Sequence, residues 1–138
     1  MRSYQYVSLL LLVLSLGCSS KGYQFAPVSG RVLMDNRPLA HAEVRFYPSV
    51  AKTGPYSVGE TDEQGNYSLV AADGSGNEGA VVGEHRVTIS IDERNLRKPP
   101  GPRGFRELVP RKYNSNTTLT CTVPTEGKEN AKFDLKSK

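Results

Sequence analysis

The chain has 138 residues and a formal net charge of +4 at pH 7, which gives room for one modest hydrophobic core and argues against a second domain. So small a positive charge does not by itself indicate nucleic-acid binding, and two cysteines, Cys18 and Cys121, exclude a framework of several disulfides. The 13 glycines and 9 prolines favour many short strands over long helices.

Residues 1–18 have the layout of a secretory signal. Arg2 supplies an early positive charge, an apolar run follows over residues 7–16, and Gly17 and Cys18 end the segment. The apolar run is about half the roughly 20 residues that a transmembrane helix needs. We therefore expect export and removal of residues 1–17, with no membrane span.

The end of this segment resembles the cleavage site of bacterial lipoproteins. Leu16, Gly17 and Cys18 match its pattern, whereas Ser15 stands where such sites usually carry Leu. The resemblance implies that the Cys18 thiol receives a diacylglycerol and that cleavage makes Cys18 the new N-terminus. Residues 18–26 would then be a lipidated tether to the inner or outer membrane of the cell envelope, facing the periplasm or the surface. An ordinary signal peptide with an unmodified cysteine is the alternative.

Short runs of β-forming residues begin after the tether. Residues 28–34 predict a strand that ends at Asp35 and Asn36, which favour a tight turn, and Pro38 is expected to block further pairing. Residues 42–48 alternate between apolar and polar, which is typical of a half-buried strand. The side chains expected to face the core are Ala42, Val44 and Phe46.

The segment around Gly65 predicts a hairpin. Residues 59–61 and 66–70 flank a turn at residues 62–65, and Gly65 supplies the positive φ that such turns often need. Residues 49–58, before it, are predicted to form a surface loop.

The second half of the chain adds three predicted strands. Residues 84–91 alternate and predict a central strand, while residues 117–123 and 131–135 predict the last two. Seven short strands, with no helical pattern after the signal, predict an all-β fold over residues 27–138. We expect a seven-stranded antiparallel Greek-key β-sandwich.

The order of these segments resembles the transthyretin-like, carboxypeptidase-regulatory-like domain of short bacterial lipoproteins. The matching segments are residues 28–32, 38–39, 42–48, 61–69, 83–89, 109–115 and 119–123. The resemblance implies a prealbumin-like sandwich, related in architecture to immunoglobulin domains. It also implies that Tyr67 packs inward after a tight turn and that the domain carries no catalytic apparatus.

Signals for cofactors and metals are weak in this sequence. Residues 74–79 have the letters of a dinucleotide-binding motif, but a strand is predicted next, so no helix N-terminus is available for a phosphate. His41, His85 and Cys121 lack the spacing of metal ligands, and His85 is interpreted as a hydrogen-bonded strand residue. We expect no metal and no cofactor.

Catalysis has little support either. The hydroxyisourate hydrolases of the transthyretin fold end in Tyr-Arg-Gly-Ser, whereas this chain ends in Lys-Ser-Lys, and no Gly-x-Ser-x-Gly turn occurs. We expect a non-enzymatic, lipid-anchored envelope protein that has a structural role or binds a protein or a glycan. A transthyretin-type carrier or hydrolase of small ligands is the alternative.

The long loop over residues 92–110 is the candidate binding segment. From residue 94 to 112 its one acidic side chain is Glu107. Such a loop attracts anionic lipid headgroups or acidic polysaccharide, and an ordinary solvated loop is the alternative. Few aromatic residues lie nearby, so nucleic acid is not an expected partner. The candidate contacts are Arg94, Arg97, Lys98, Arg103 and Arg106.

Overall fold

The computed structural model of the protein describes residues 22–49, 54–94, 96–97 and 99–138. The predicted signal, Cys18 and Lys98 therefore lie outside the described residues. None of the helices in the described part of the chain is long and apolar enough to cross a bilayer. The elements are β1 Phe25–Ala26, β2 Ser29–Met34, β3 Arg37–Pro38, β4 Glu43–Pro48, β5 Ser57–Glu60, β6 Asn66–Ser68, β7 Val70–Ala71, β8 Ala80–Val81, β9 Gly83–Ser90, a 3-10 turn Arg111–Tyr113, β10 Thr120–Val123 and β11 Phe133–Leu135.

The fold is all-β, as predicted, with two main sheets around one core. The larger sheet has the strand order β10-β9-β4-β5-β7, and the other contains β11-β2-β3 with β6 also paired to β2. Val44 of the first sheet and Val32 and Leu135 of the second belong to the same buried cluster. Phe46 and Phe133 meet edge to face across the core, with ring centroids 6.2 Å apart. A small third sheet pairs β1 with β8.

Alternation in β4 and β9 determines which side chains reach this core. Val44 and Phe46 are fully buried, and so are Val87 and Ile89 on β9. Because β9 lies between β10 and β4, the prediction of a central strand is confirmed. The same period-2 pattern turns the intervening polar side chains outward.

The turn after β2 differs from the prediction at Pro38. Asp35 and Asn36 have φ values of 49° and 64°, which is the left-handed geometry of a tight hairpin turn. Pro38 was expected to block pairing, yet it lies in β3 opposite Leu33. It is tolerated because β3 is an edge strand, where the missing N–H of proline costs no ladder hydrogen bond.

The predicted hairpin around Gly65 is wrong in its pairing, although its turn forms. The Gly65 N–H donates to the Asp62 carbonyl at 2.9 Å, and Gly65 has a φ of 77°. However, β5 pairs with β4 and β7, while β6 pairs with β2 in the other sheet. The turn therefore moves the chain between sheets, and Tyr67 of β6 is buried just after it.

The last strand differs from the predicted antiparallel arrangement. β11 pairs with β2 in parallel, with Phe133 opposite Val32. The reason is the crossover after β10, which brings Lys128 beside Val28 in a parallel bridge before the chain continues along β2. The described residues form eleven strands instead of the seven predicted. Short strands of two residues also form in segments that were not predicted to be strands.

The fold also begins earlier than the predicted end of the tether at residue 26. Phe25 and Ala26 form β1 and pair with Val81 and Ala80. Ala26 is 1% exposed and belongs to the core. The polar residues before Phe25 gave no sign of this pairing, because a two-residue strand is too short for a periodic pattern.

Candidate functional site

The predicted basic loop is fastened at its base by one carboxylate. The backbone N–H groups of Ile91 and Val109 both donate to Glu107 Oε1, at 2.8 Å each. The Leu108 N–H also donates to the Ile91 carbonyl at 2.9 Å, and Val109 is buried. The two ends of the loop are thus joined where it leaves the sheet.

Two of the predicted cations have acidic neighbours. Arg94 Nη2 lies 2.6 Å from Asp92 Oδ2, so the Asp92 carboxylate offsets the Arg94 charge from just outside the basic stretch of residues 94–112. Arg97 lines a recess together with Glu60. These two positions contribute less positive potential than the sequence indicates.

The outer part of the loop carries the most accessible cations. Residues 99–108 are all exposed, and the loop reverses where the Gly104 N–H donates to the Gly101 carbonyl at 2.9 Å. Arg103 and Arg106 lie in this exposed part. They are the predicted contacts that the structure presents to solvent beyond the fastened base.

The basic loop and the N-terminal segment lie at opposite ends of β9. The Val82 N–H donates to the Gln24 carbonyl at 2.8 Å just before β9 begins, and the loop leaves at Ile91 just after β9 ends. Seven residue steps at about 3.3 Å separate these ends by roughly 23 Å. The described chain therefore begins near one end of the large sheet, and the loop leaves from the other.

A second polar surface lies on the outer face of the large sheet. The rings of Tyr47 and Tyr56 are stacked, with centroids 5.3 Å apart. The Arg86 guanidinium carbon lies 5.2 Å from the Tyr47 ring centroid, and that of Arg45 lies 5.7 Å from the Tyr56 centroid. Arg45 also pairs with the Glu43 carboxylate. We call Tyr47, Tyr56, Arg45 and Arg86 the tyrosine–arginine surface.

Sequence reasoning missed this surface. The alternation of β4 and β9 predicts that Tyr47 and Arg86 face outward, but it does not predict that they are opposite each other, as the register of the two strands shows. Tyr56 belongs to the predicted surface loop over residues 49–58. Its stacking on Tyr47 depends on the pairing of Ser57 with Phe46. The sequence feature that could have indicated this surface is the presence of Tyr and Arg at outward-facing strand positions.

Two groups with reactive chemistry lie side by side on the inner face of the large sheet. His85 on β9 is opposite Cys121 on β10, and both are buried. His85 Nδ1 lies 3.0 Å from the Gly83 carbonyl, but its Nε2 has no hydrogen-bond partner among the described residues. The expectation of a fully hydrogen-bonded His85 is therefore wrong for one of its two nitrogens. Burial lowers the pKa of His85 and raises that of the Cys121 thiol.

The Asp62 and Asp73 carboxylates accept hydrogen bonds within their own turns. Asp62 Oδ1 accepts from the Gln64 and Asn66 N–H groups at 2.9 Å each, and Asp73 Oδ1 accepts from the Ser75 N–H. In the part of the chain that the structure describes, no three His, Cys, Asp or Glu side chains form a metal-binding group. The motif at residues 74–79 leads into β8, as predicted, and offers no helix N-terminus.

Comparisons with known proteins do not identify the family of this chain. No family model matches it, and no curated protein matches it. Among solved structures it is similar to part of a 9R-lipoxygenase from Cyanothece PCC8801, with 15% identity and a TM-score of 0.43. The match covers 82% of this chain and 16% of that chain, so the chain spans about a sixth of the lipoxygenase.

Proposed function

We propose that this chain is a non-enzymatic, lipid-anchored protein of the bacterial cell envelope that presents its basic loop to an acidic protein or glycan. The observation that carries the proposal is the position of the loop. It is fastened by Glu107 at the end of β9 that lies away from the N-terminal segment. A lipid on Cys18 would hold the opposite end of the domain at the membrane.

The fastened base also supports binding on energetic grounds. Ordering a free loop on binding costs conformational entropy, and the bonds from Ile91 and Val109 to Glu107 impose part of that order in advance. Arg103 and Arg106 are exposed beyond this base, and guanidinium groups bind carboxylates through paired hydrogen bonds. The location at the far end of the sheet favours a partner beyond the anchoring bilayer.

The proposal includes the finer fold inferred from the sequence, a prealbumin-like sandwich of seven Greek-key strands. Two sheets that share one buried cluster support it. The short segments β1, β3, β7 and β8 are then additions at the edges and corners of that arrangement.

The anchor is tested by replacing its acceptor. Cys18→Ser is expected to lose the acyl groups and move from the membrane fraction to the soluble fraction, since attachment depends on buried acyl methylenes at roughly 0.8 kcal/mol each. The measurements are intact mass and fractionation of cells. Cys121→Ser is the matched control and is expected to stay at the membrane, because Cys121 is buried. Membrane retention of Cys18→Ser would contradict the anchor.

Loop binding is tested with polymers that carry carboxylates. Binding of the Cys18→Ser chain to polygalacturonate and to polyglutamate is measured at low and high salt. Replacing Arg97, Arg103 and Arg106 with Gln is expected to weaken binding by roughly threefold to 150-fold, since three exposed ion pairs at about 0.2–1 kcal/mol each sum to roughly 0.6–3 kcal/mol. High salt should weaken the unaltered chain in the same direction.

A control variant that loses three positive charges elsewhere separates the effect of the loop from the effect of net charge. Arg37, Lys132 and Lys136 are exposed residues of the second sheet and the C-terminus, and their replacement with Gln removes the same number of positive charges. This control variant should bind the two polymers as tightly as the unaltered chain does. Equal loss in both triple variants, or no binding of either polymer at low salt, would contradict the proposed role.

A further inference from the structure

Exposed aromatic side chains lie at the end of the fold where the described chain begins. Tyr23 is 48% exposed and Tyr56 is 37% exposed. The Tyr23 ring lies against Gly54, within 3.2 Å of the position that a Cβ there would occupy, and Gly54 is two residues before Tyr56. Tyr23 therefore lies beside the segment that leads into the tyrosine–arginine surface.

We propose that Tyr23 and the tyrosine–arginine surface bind the phospholipid headgroups of the bilayer that holds the anchor and so orient the domain on the membrane. This inference rests on the proposed lipid at Cys18. It adds a second binding surface, distinct from the basic loop.

The length of the preceding chain limits where this surface can lie. Five residue steps join Cys18 to Tyr23, and they span at most about 18 Å. A lipid-bearing Cys18 therefore keeps Tyr23 within the depth of a headgroup layer and its adjoining water. Such a short tether gives the surface a high effective concentration at the bilayer, so a weak contact is sufficient.

The chemistry of the surface fits headgroups. Tyrosine places an apolar ring and a hydroxyl at the membrane–water interface, and a guanidinium binds phosphate oxygens through paired N–H groups. No carboxylate among the described residues pairs with Arg86. Glu43 pairs with Arg45, and Glu84 is exposed on the same face of β9. Direct phosphate contact, more than a long-range field, therefore supplies the attraction.

Ring packing favours headgroups over a glycan at this surface. Tyr47 already contacts both Tyr56 and Arg86, and Tyr56 contacts both Tyr47 and Arg45. A sugar that stacks on an aromatic face would compete with these contacts. A phosphate that meets the edge of a guanidinium leaves them in place.

Tyrosine emission gives a direct test, because the chain has no tryptophan. The protein purified from membranes is placed in vesicles whose headgroups carry a nitroxide quencher. The nitroxide should quench about half of the emission, since three of the five tyrosines after Cys18 belong to this surface. Arg86→Glu should reduce that quenching at least twofold, and Arg86→Gln should reduce it to a lesser degree.

Arg103→Glu, which changes charge equally in the basic loop, should leave the quenching unchanged. Quenching that is insensitive to Arg86→Glu, or that falls with Arg103→Glu, overturns the inference because the sheet face then does not meet the bilayer. Binding of polygalacturonate that is lost in Arg86→Glu, without quenching by the vesicles, assigns the surface to a glycan and also overturns it.

One further experiment tests headgroup binding by the tyrosine–arginine surface separately from the lipid anchor at Cys18. The unacylated chain carrying Cys121→Ser is coupled through Cys18 to a maleimide lipid, which supplies an anchor whatever the cell does. If the native protein lacks acyl groups, the proposed function fails, while quenching of the coupled chain still decides whether the surface meets headgroups.

Discussion

His85 is a buried side chain whose burial follows from strand alternation but whose hydrogen bonding does not. The alternation of β9 correctly predicts that residue 85 faces inward with Val87, and nothing in that pattern distinguishes a satisfied imidazole from an unsatisfied one. Its Nδ1 has the Gly83 carbonyl 3.0 Å away, and the Phe46 ring lies 5.6 Å away between centroids. An apolar neighbour offers no partner for Nε2, so protonation there would bury an uncompensated charge.

This environment predicts a loss of stability in acid. The pKa of His85 in the folded protein lies below its ordinary value of 6.5, so below that pH the unfolded chain binds the proton more readily. The free energy of unfolding should fall as pH drops below about 6.5, by at most about 1.4 kcal/mol per pH unit from this group, and level off below the folded pKa. Urea unfolding at pH values from 5 to 8 measures it.

His85→Phe should flatten this acid-side loss, whatever its effect on stability at pH 8. His41→Asn serves as the control because it retains the His85 imidazole, and Asn tolerates the positive φ of 59° at that position. A pH dependence unchanged in His85→Phe would assign the acid sensitivity to other groups.

Among the elements, β11 depends on a close approach of two backbones. The Tyr67 hydroxyl donates to the Ala131 carbonyl at 2.6 Å, and a Cβ on Gly30 would lie 2.0 Å from that same oxygen. The Ala131 N–H donates to the Ser29 carbonyl at 3.0 Å. Gly30 therefore permits the contact that guides the chain into β11.

Gly30→Ala is expected to destabilise the fold by about 1–3 kcal/mol, the usual cost of forcing extra volume into a packed site. Chemical denaturation measures the change. Gly101→Ala is the matched control, since a Cβ there would meet nothing closer than 4.0 Å, and its free energy of unfolding should stay within about 0.5 kcal/mol of the unaltered chain. Equal stability of the two variants would show that β11 tolerates displacement.

Local pattern explains which elements were predictable. In β4 and β9 the alternation lies within each strand, so burial of Val44, Phe46 and Ile89 follows from the sequence alone. The partners of β6 and β11 depend on where the turn at Asp62–Gly65 and the crossover near Lys128 send the chain. Those are long-range outcomes of packing, which periodicity does not encode.

For the whole molecule, the sequence gives the all-β class and the basic loop, but not the relation between surfaces. The loop and the N-terminal segment lie at opposite ends of β9. This arrangement depends on the pairing of Phe25 with Val81, which no sequence motif predicts. The tyrosine–arginine surface likewise combines residues from β4, β9 and the segment before β5. Its charge and aromatic content were visible in the sequence, whereas its assembly was not.

For the exported protein proposed above, the parallel pairing of β2 with β11 would affect when the chain folds. Val32 and Phe133 are neighbours in the folded sheet, so the sheet is incomplete until β11 has left the ribosome. Contacts between such distant parts of a chain form late and slowly. If the chain is exported as proposed, we expect it to stay unfolded while it passes through a translocation channel, and to fold once β11 is released on the far side.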